Sequence, residues 1–142
     1  MPETRPRDDV DTVTKISDRS VNGTVARLTE LIARRGMNLF AVIDQAAEAK
    51  NVGLQLRETT MVIFGSPVAG TPVMAAVPLA ALDLPLKVLV WADGGQTKVS
   101  YDSPAAIARR RGLSPELAAN LAGITGLTDA LVAPKEAQNS DR

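Results

Sequence analysis

The chain has 142 residues, of which 45% are hydrophobic and 23% charged, and its 16 basic side chains balance its 16 acidic ones. That length fits one domain with a sizeable core, and zero net charge leaves no global field to gather nucleic acid or an anionic membrane. Cysteine and histidine are both absent, which excludes disulfides, thiolate metal sites, a Ser-His-Asp triad, a Cys-His dyad and HExxH zinc chemistry. The N-terminal MPETRPRDDVDT carries no apolar segment of signal-peptide type. No run approaches the roughly 20 apolar residues of a membrane span, so a cytoplasmic chain without membrane contact is expected.

Residues 1–9 and 133–142 are polar and unpatterned and read as frayed tails around a single domain at 10–132. Val10, Val13 and Ile16, interleaved with Thr and Asp, suggest a first strand. Val21, Val25, Leu28 and Ile32 then mark one face of a helix. Ser20 is placed to cap its start and Gly36 to end it in a left-handed conformation. Asn38 to Ile43 reads as a strand, Asp44 as the cap of a short helix over Gln45 to Lys50. Leu54 and Leu56 alternate into an apolar run from Met61 to Phe64. The loop Gly65 to Thr71 follows and opens onto a small-residue helical stretch that Thr71 caps. Leu86 to Trp91 is a strong strand, Gly94-Gly95 a turn, and Thr97 to Tyr101 its hairpin partner. Ser103-Pro104 and Ser114-Pro115 each set a cap residue before a first-turn proline, starting helices at 104–111 and 115–131, the second broken near Gly123 or Gly126. Strands joined by hairpins, with helices on either side of them in the chain, predict an α+β domain with a mostly antiparallel sheet.

Candidate chemistry centres on the loop. Gly65 and Gly70 have the glycine spacing of a phosphate-binding loop, but Thr71 stands where its lysine belongs and Pro72 lacks an N–H. Triphosphate binding is thereby disfavoured, and a weaker anion or carboxylate site at the amides and the Thr71 hydroxyl remains, against the alternative of a plain strand-to-helix connector. Asp83 lies in the apolar stretch LDLP and needs solvent or a partner, for which Lys87 is the candidate; it is either a carboxylate in a pocket or a turn residue. Asp44 and Asp102 end strands and rank below it. Arg109, Arg110 and Arg111 read as a solvated helix end. The stretch Val73 to Leu86 is either core or half of a dimer face.

The segments LRETTMVIFGSPVAGTPVM, ALDLPLKVLVWAD and VSYDSP together resemble the prokaryotic family known as domain of unknown function 302, over residues 10–132. The resemblance implies a TATA-binding-protein-like fold of β-α-β(4)-α order, and homodimers. It supplies no activity. Gly65, Pro67, Gly70, Thr71, Asp83, Lys87 and Tyr101 match the family pattern. Relatives often carry histidines where this chain has Gln45 and Arg111, so any function of those histidines is not available here.

The combined expectation is a homodimeric binding domain that holds a small anionic or polar ligand at Gly65, Ser66, Gly70 and Thr71. Lys87 would supply charge and Tyr101 a hydroxyl. No metal, cofactor or nucleic acid is expected. The alternatives are an enzyme using Asp or Lys as acid and base, drawing on Asp44, Asp83 or Asp102, and a structural dimer without a ligand.

Overall fold

A computed structural model describes residues 11–134; residues 1–10 and 135–142, which include most of both expected tails and Val10, lie outside the described residues. Five antiparallel strands form one sheet in the order β1-β5-β4-β3-β2. They are β1 (Thr12–Ser17), β2 (Asn38–Asp44), β3 (Thr59–Gly65), β4 (Leu86–Asp93) and β5 (Gln96–Asp102). The helices are α1 (Val21–Arg34), α2 (Gln45–Asn51), α3 (Pro67–Ala76), α4 (Pro104–Arg111), α5 (Pro115–Ala119) and α6 (Gly123–Val132), with a 3-10 turn at Pro78–Leu82. This is the α+β antiparallel architecture expected from the sequence.

Local chemistry accounts for most of the boundaries. The Ser20 hydroxyl accepts from Gly23 N at 3.0 Å to start α1. At its other end Gly36 takes φ +72°, with Gly36 N donating to Ala33 O and Met37 N to Ile32 O, the paired bonds by which a left-handed glycine closes a helix. Gly94 and Gly95 join β4 to β5, where Asp93 faces Gln96; Gly94 has φ +62°, as a tight hairpin requires.

Two boundaries differ from the sequence reading. The helix after β3 starts at Pro67, with Ser66 as its cap, so Thr71 lies inside α3 and caps nothing. Ser66-Pro67 carries the same cap-plus-proline signal as Ser103-Pro104 and Ser114-Pro115, all three of which start helices. Leu54 and Leu56 precede β3 without joining it, and both are exposed. The helix expected over 115–131 breaks near Gly123, as its glycines suggest, into α5 and α6, with Gly123 opening the second.

One face of the sheet is covered by α1 and α6. Leu28, Ile32, Val62, Phe64, Val88, Val90, Val99, Leu127 and Leu131 form its core, each such side chain contributing roughly 1.5–3 kcal/mol on burial. Among the described residues no helix covers the other face over β4 and β5, and the strands present Met61, Ile63, Leu89 and Trp91 on that side. A second apolar cluster forms beyond the sheet end, where Val73, Ala80, Leu84, Ile107 and Leu121 pack together. The satellite cluster and the main core meet at Leu86, which packs against both.

Candidate functional site

The turn from β3 into α3 hangs over a hollow of about 300 Å³. Gly65, Ser66, Gly70 and Thr71 all line it, as the sequence reading grouped them. Gly65 is buried, and a Cβ there would sit 3.6 Å from Pro85 Cβ and 3.7 Å from the Phe40 ring. The rest of the wall comes from three directions. Met37 and Phe40 reach in from just before and within the start of β2, Leu84 to Leu86 from the entry to β4, Leu121 from the link between α5 and α6, and Ile124 from α6. Met74 closes the side nearest Gly70.

The chemistry of this wall is apolar. Among the described residues no charged side chain lines it. The amides expected to receive an anion are already used: Ala69 N donates to Ser66 Oγ at 3.3 Å, and Gly70 N to Ser66 O at 2.8 Å. Both bonds follow from the helix starting at Pro67, since a Ser cap and the first helical carbonyl take up the first-turn donors. Polar character is confined to the hydroxyls of Ser66 and Thr71 and to Asn120, whose Nδ2 donates to Ala69 O at 3.0 Å.

Lys87 and Tyr101 do not join the turn. On β4 the side chains of Val88 and Val90 face the core, so Lys87 between them and Pro85 projects from the uncovered face. Its ammonium donates to the main-chain oxygens of Asp83 and Pro85, both at 3.3 Å. Tyr101 is 4% exposed on the covered face, with the Lys15 ammonium 5.2 Å from its ring centroid. These two residues line a second hollow of about 210 Å³ with Asp83 and Asp102.

Asp83 pairs with arginines and not with the Lys87 ammonium. Its Oδ1 accepts from Arg110 Nη1 at 2.7 Å and its Oδ2 from Arg111 Nε at 2.6 Å. Burial opposes its charge, but the hydrogen bonds and fields of Arg111 and Arg110 outweigh that and hold its carboxyl below the usual carboxylate range. Arg110 also lies 3.5 Å from Asp102 through Nη2, and Arg109 pairs with Asp11. The arginine run expected to be solvated therefore ties α4 to the 3-10 turn, β5 and the chain before β1. Asp44 stands apart as the cap of α2, accepting from Ala47 N at 2.9 Å, beside a third hollow that also carries Glu58 and Lys50.

Sequence reasoning missed Lys15. It reaches from β1 to α6, donating to Thr128 Oγ1 at 2.6 Å, Asp129 Oδ1 at 2.8 Å and Thr125 O at 3.3 Å. Burial alone would lower its pKa, but Asp129 and Tyr101 together raise it. Met37, Phe40 and Asn120 were missed as well; the only local signal was an amide set in the apolar run LAANLAG. No group of three or more metal-capable His, Cys, Asp or Glu side chains occurs among the described residues.

A five-stranded antiparallel sheet with helices on one face and a helical cluster at its end defines a small α+β domain. The family model for the domain of unknown function DUF302 matches residues 13–131, and the chain belongs to that family. The crystal structure of the uncharacterized conserved protein DUF302 from Bacillus stearothermophilus superposes with a TM-score of 0.73 at 20% identity, over 85% of this chain and 94% of that one. At that identity the likeness establishes the fold. Curated relatives include the fluoride-specific ion channel FluC 1 of Brucella suis biovar 1, 39% identical over 109 residues that make up 75% of this chain and 43% of that protein. FluC 1 of Brucella abortus biovar 1 matches equally, with 40% of its length covered. The chain thus spans about two-fifths of the length of these relatives. No helix among the described residues is long and apolar enough to cross a membrane.

Proposed function

We propose that this chain is a small-molecule binding module, with its ligand held in the hollow beneath the Ser66–Thr71 turn. The observation that carries this reading is a space of about 300 Å³ walled by apolar side chains, with Ser66, Thr71 and Asn120 as its polar groups. An apolar concavity with a few polar groups is the usual form of such a site. A thermal-shift screen of small fragments tests it, run in parallel on the wild type and on Gly70→Leu, whose new side chain occupies the space beside Met74. Fragments that stabilise the first and not the second support the site; a screen with no stabilising fragment refutes it.

The binding module works as a homodimer in this reading. β2 is an edge strand, and Leu39, Phe40, Val42 and Ile43 are 36–52% exposed along it. Such an edge invites another strand, and no charged residue lies between Asn38 and Ile43 to prevent it. The opposite edge, β1, carries the inward-pointing Lys15, a common guard against pairing. An acid–base enzyme has less support, because Asp83 is held ionised between two guanidinium groups and Asp102 shares one of them.

The Brucella relatives suggest a setting. An ion channel must span the bilayer with helices or a closed barrel, and no helix among the described residues of the present chain is long and apolar enough to do so. The matching segment would then be an appended domain beside the channel, and the present chain a counterpart that senses a ligand for a partner. Co-purification of the tagged chain with membrane proteins of its own host tests that setting.

A further inference from the structure

We infer that the ligand of the hollow is a neutral, mostly apolar molecule of bicyclic size with a single hydrogen-bonding group; this rests on the binding-module reading and narrows it. Three observations converge. The first is size. An apolar cavity of ~150 Å³ holds a benzene, so a space of about 300 Å³ has room for a molecule of roughly a dozen non-hydrogen atoms. The second is charge. The wall offers no lysine or arginine, and the amides of Ala69 and Gly70 are bonded to Ser66. An anion entering there would lose its hydration with no cationic side chain to balance its charge, a cost that neutral groups largely escape. The third is the character of the wall. Met37, Met74 and Phe40 border the space, and flexible thioethers beside a ring adapt to flat apolar bodies and contact them favourably.

Ser66, Thr71 and Asn120 are the polar side chains of the wall, and they set where the hydrogen-bonding group of the ligand can be received. Asn120 uses Nδ2 on Ala69 O, while no bond to its Oδ1 or to the Thr71 hydroxyl is made by the described residues. A hydroxyl or ring N–H on the ligand would donate to Asn120 Oδ1. Phe40, 52% exposed, is the aromatic side chain of the wall and would contact the apolar body.

The test compares two probes of one shape, 1-naphthol and 1-naphthoate, at neutral pH on the full chain. Isothermal titration gives affinities, and the methyl NMR signals of Met37 and Met74 report the place of binding. The expected result is that 1-naphthol shifts both methionine signals and binds at least ~10-fold more tightly than 1-naphthoate. Asn120→Leu should weaken 1-naphthol severalfold, and Gly70→Leu should abolish the shifts. Equal or tighter binding of 1-naphthoate at the same methionines would overturn the ligand class and leave the hollow as a site. Absence of binding by both probes, or binding untouched by Gly70→Leu, would overturn the site and the ligand class together.

Discussion

Arg111 Nε lies 2.6 Å from Asp83 Oδ2, joining the end of α4 to the turn that feeds β4. With Arg110 on the other carboxylate oxygen, this pair fixes a corner that packing alone would leave loose, since Leu79 and Leu82 beside it are 64% and 69% exposed. Asp83→Asn should destabilise the fold by about 1–3 kcal/mol, because the partly buried Arg111 loses its counter-charge and Arg110 is left with Asp102 alone. The sign with pH follows from its depressed pKa. The contribution is complete above the ordinary carboxylate value and is lost as pH falls through the lower, folded one. Urea unfolding of both proteins across the acid range should show their difference shrinking below about pH 4.

Lys15 gives the opposite dependence. Its pKa is raised in the fold, so its stabilising contribution is complete below the unfolded value of 10.5 and fades as pH climbs through the folded one. Lys15→Met should cost about 1–2 kcal/mol at neutral pH through the lost bonds to Thr128 and Asp129. Chemical denaturation of the two proteins at alkaline pH should bring their stabilities together.

Gly70 offers a gain. It sits inside α3 with ordinary backbone angles, and a Cβ there would meet only Met74 Cε at 3.8 Å. Gly70→Ala should raise stability by about 0.5–1 kcal/mol, the difference in helix propensity. Calorimetric melting checks this, and an unchanged or lower Tm would show that the turn needs the glycine for another reason.

The edge strand supplies a prediction on assembly. Val42 is 45% exposed on β2, and a lysine there would set a charge on the open edge. Sedimentation velocity should find the wild type as a dimer and Val42→Lys as a monomer, with similar circular dichroism. A wild type that sediments as a monomer at high micromolar concentration would refute edge pairing.

What was legible in the sequence was local. The caps at Ser20 and Ser103, the Gly36 helix end and the Gly94-Gly95 hairpin each rest on neighbours in the chain, and the structure has all of them. Ser66-Pro67 was equally legible, but the glycine spacing of the loop drew attention to Thr71 instead. Contacts between distant residues left no such trace. Arg110 meets Asp83 across 27 positions and Lys15 meets Thr128 across 113, and neither pairing follows from spacing or periodicity. The site was half visible for the same reason. Gly65 to Thr71 is continuous, while Phe40 and Asn120 come to it only through folding. Lys87 and Tyr101 are expected there as a charge and a hydroxyl that match the family pattern, yet strand alternation sends them to opposite faces.

The hollow lies at the joint between the two apolar clusters, with Leu84 and Leu121 on one side, Ile124 on the other and Leu86 packed against both. Such a joint separates units that open independently in native-state hydrogen exchange. An occupant would act as a wedge holding the smaller lobe to the larger, slowing exchange in α3 and the 3-10 turn by the saturation factor of the bound state while the amides of β4 and β5 keep their own pace. Tightening of one lobe against the other would then be the signal that occupancy sends to whatever touches the domain.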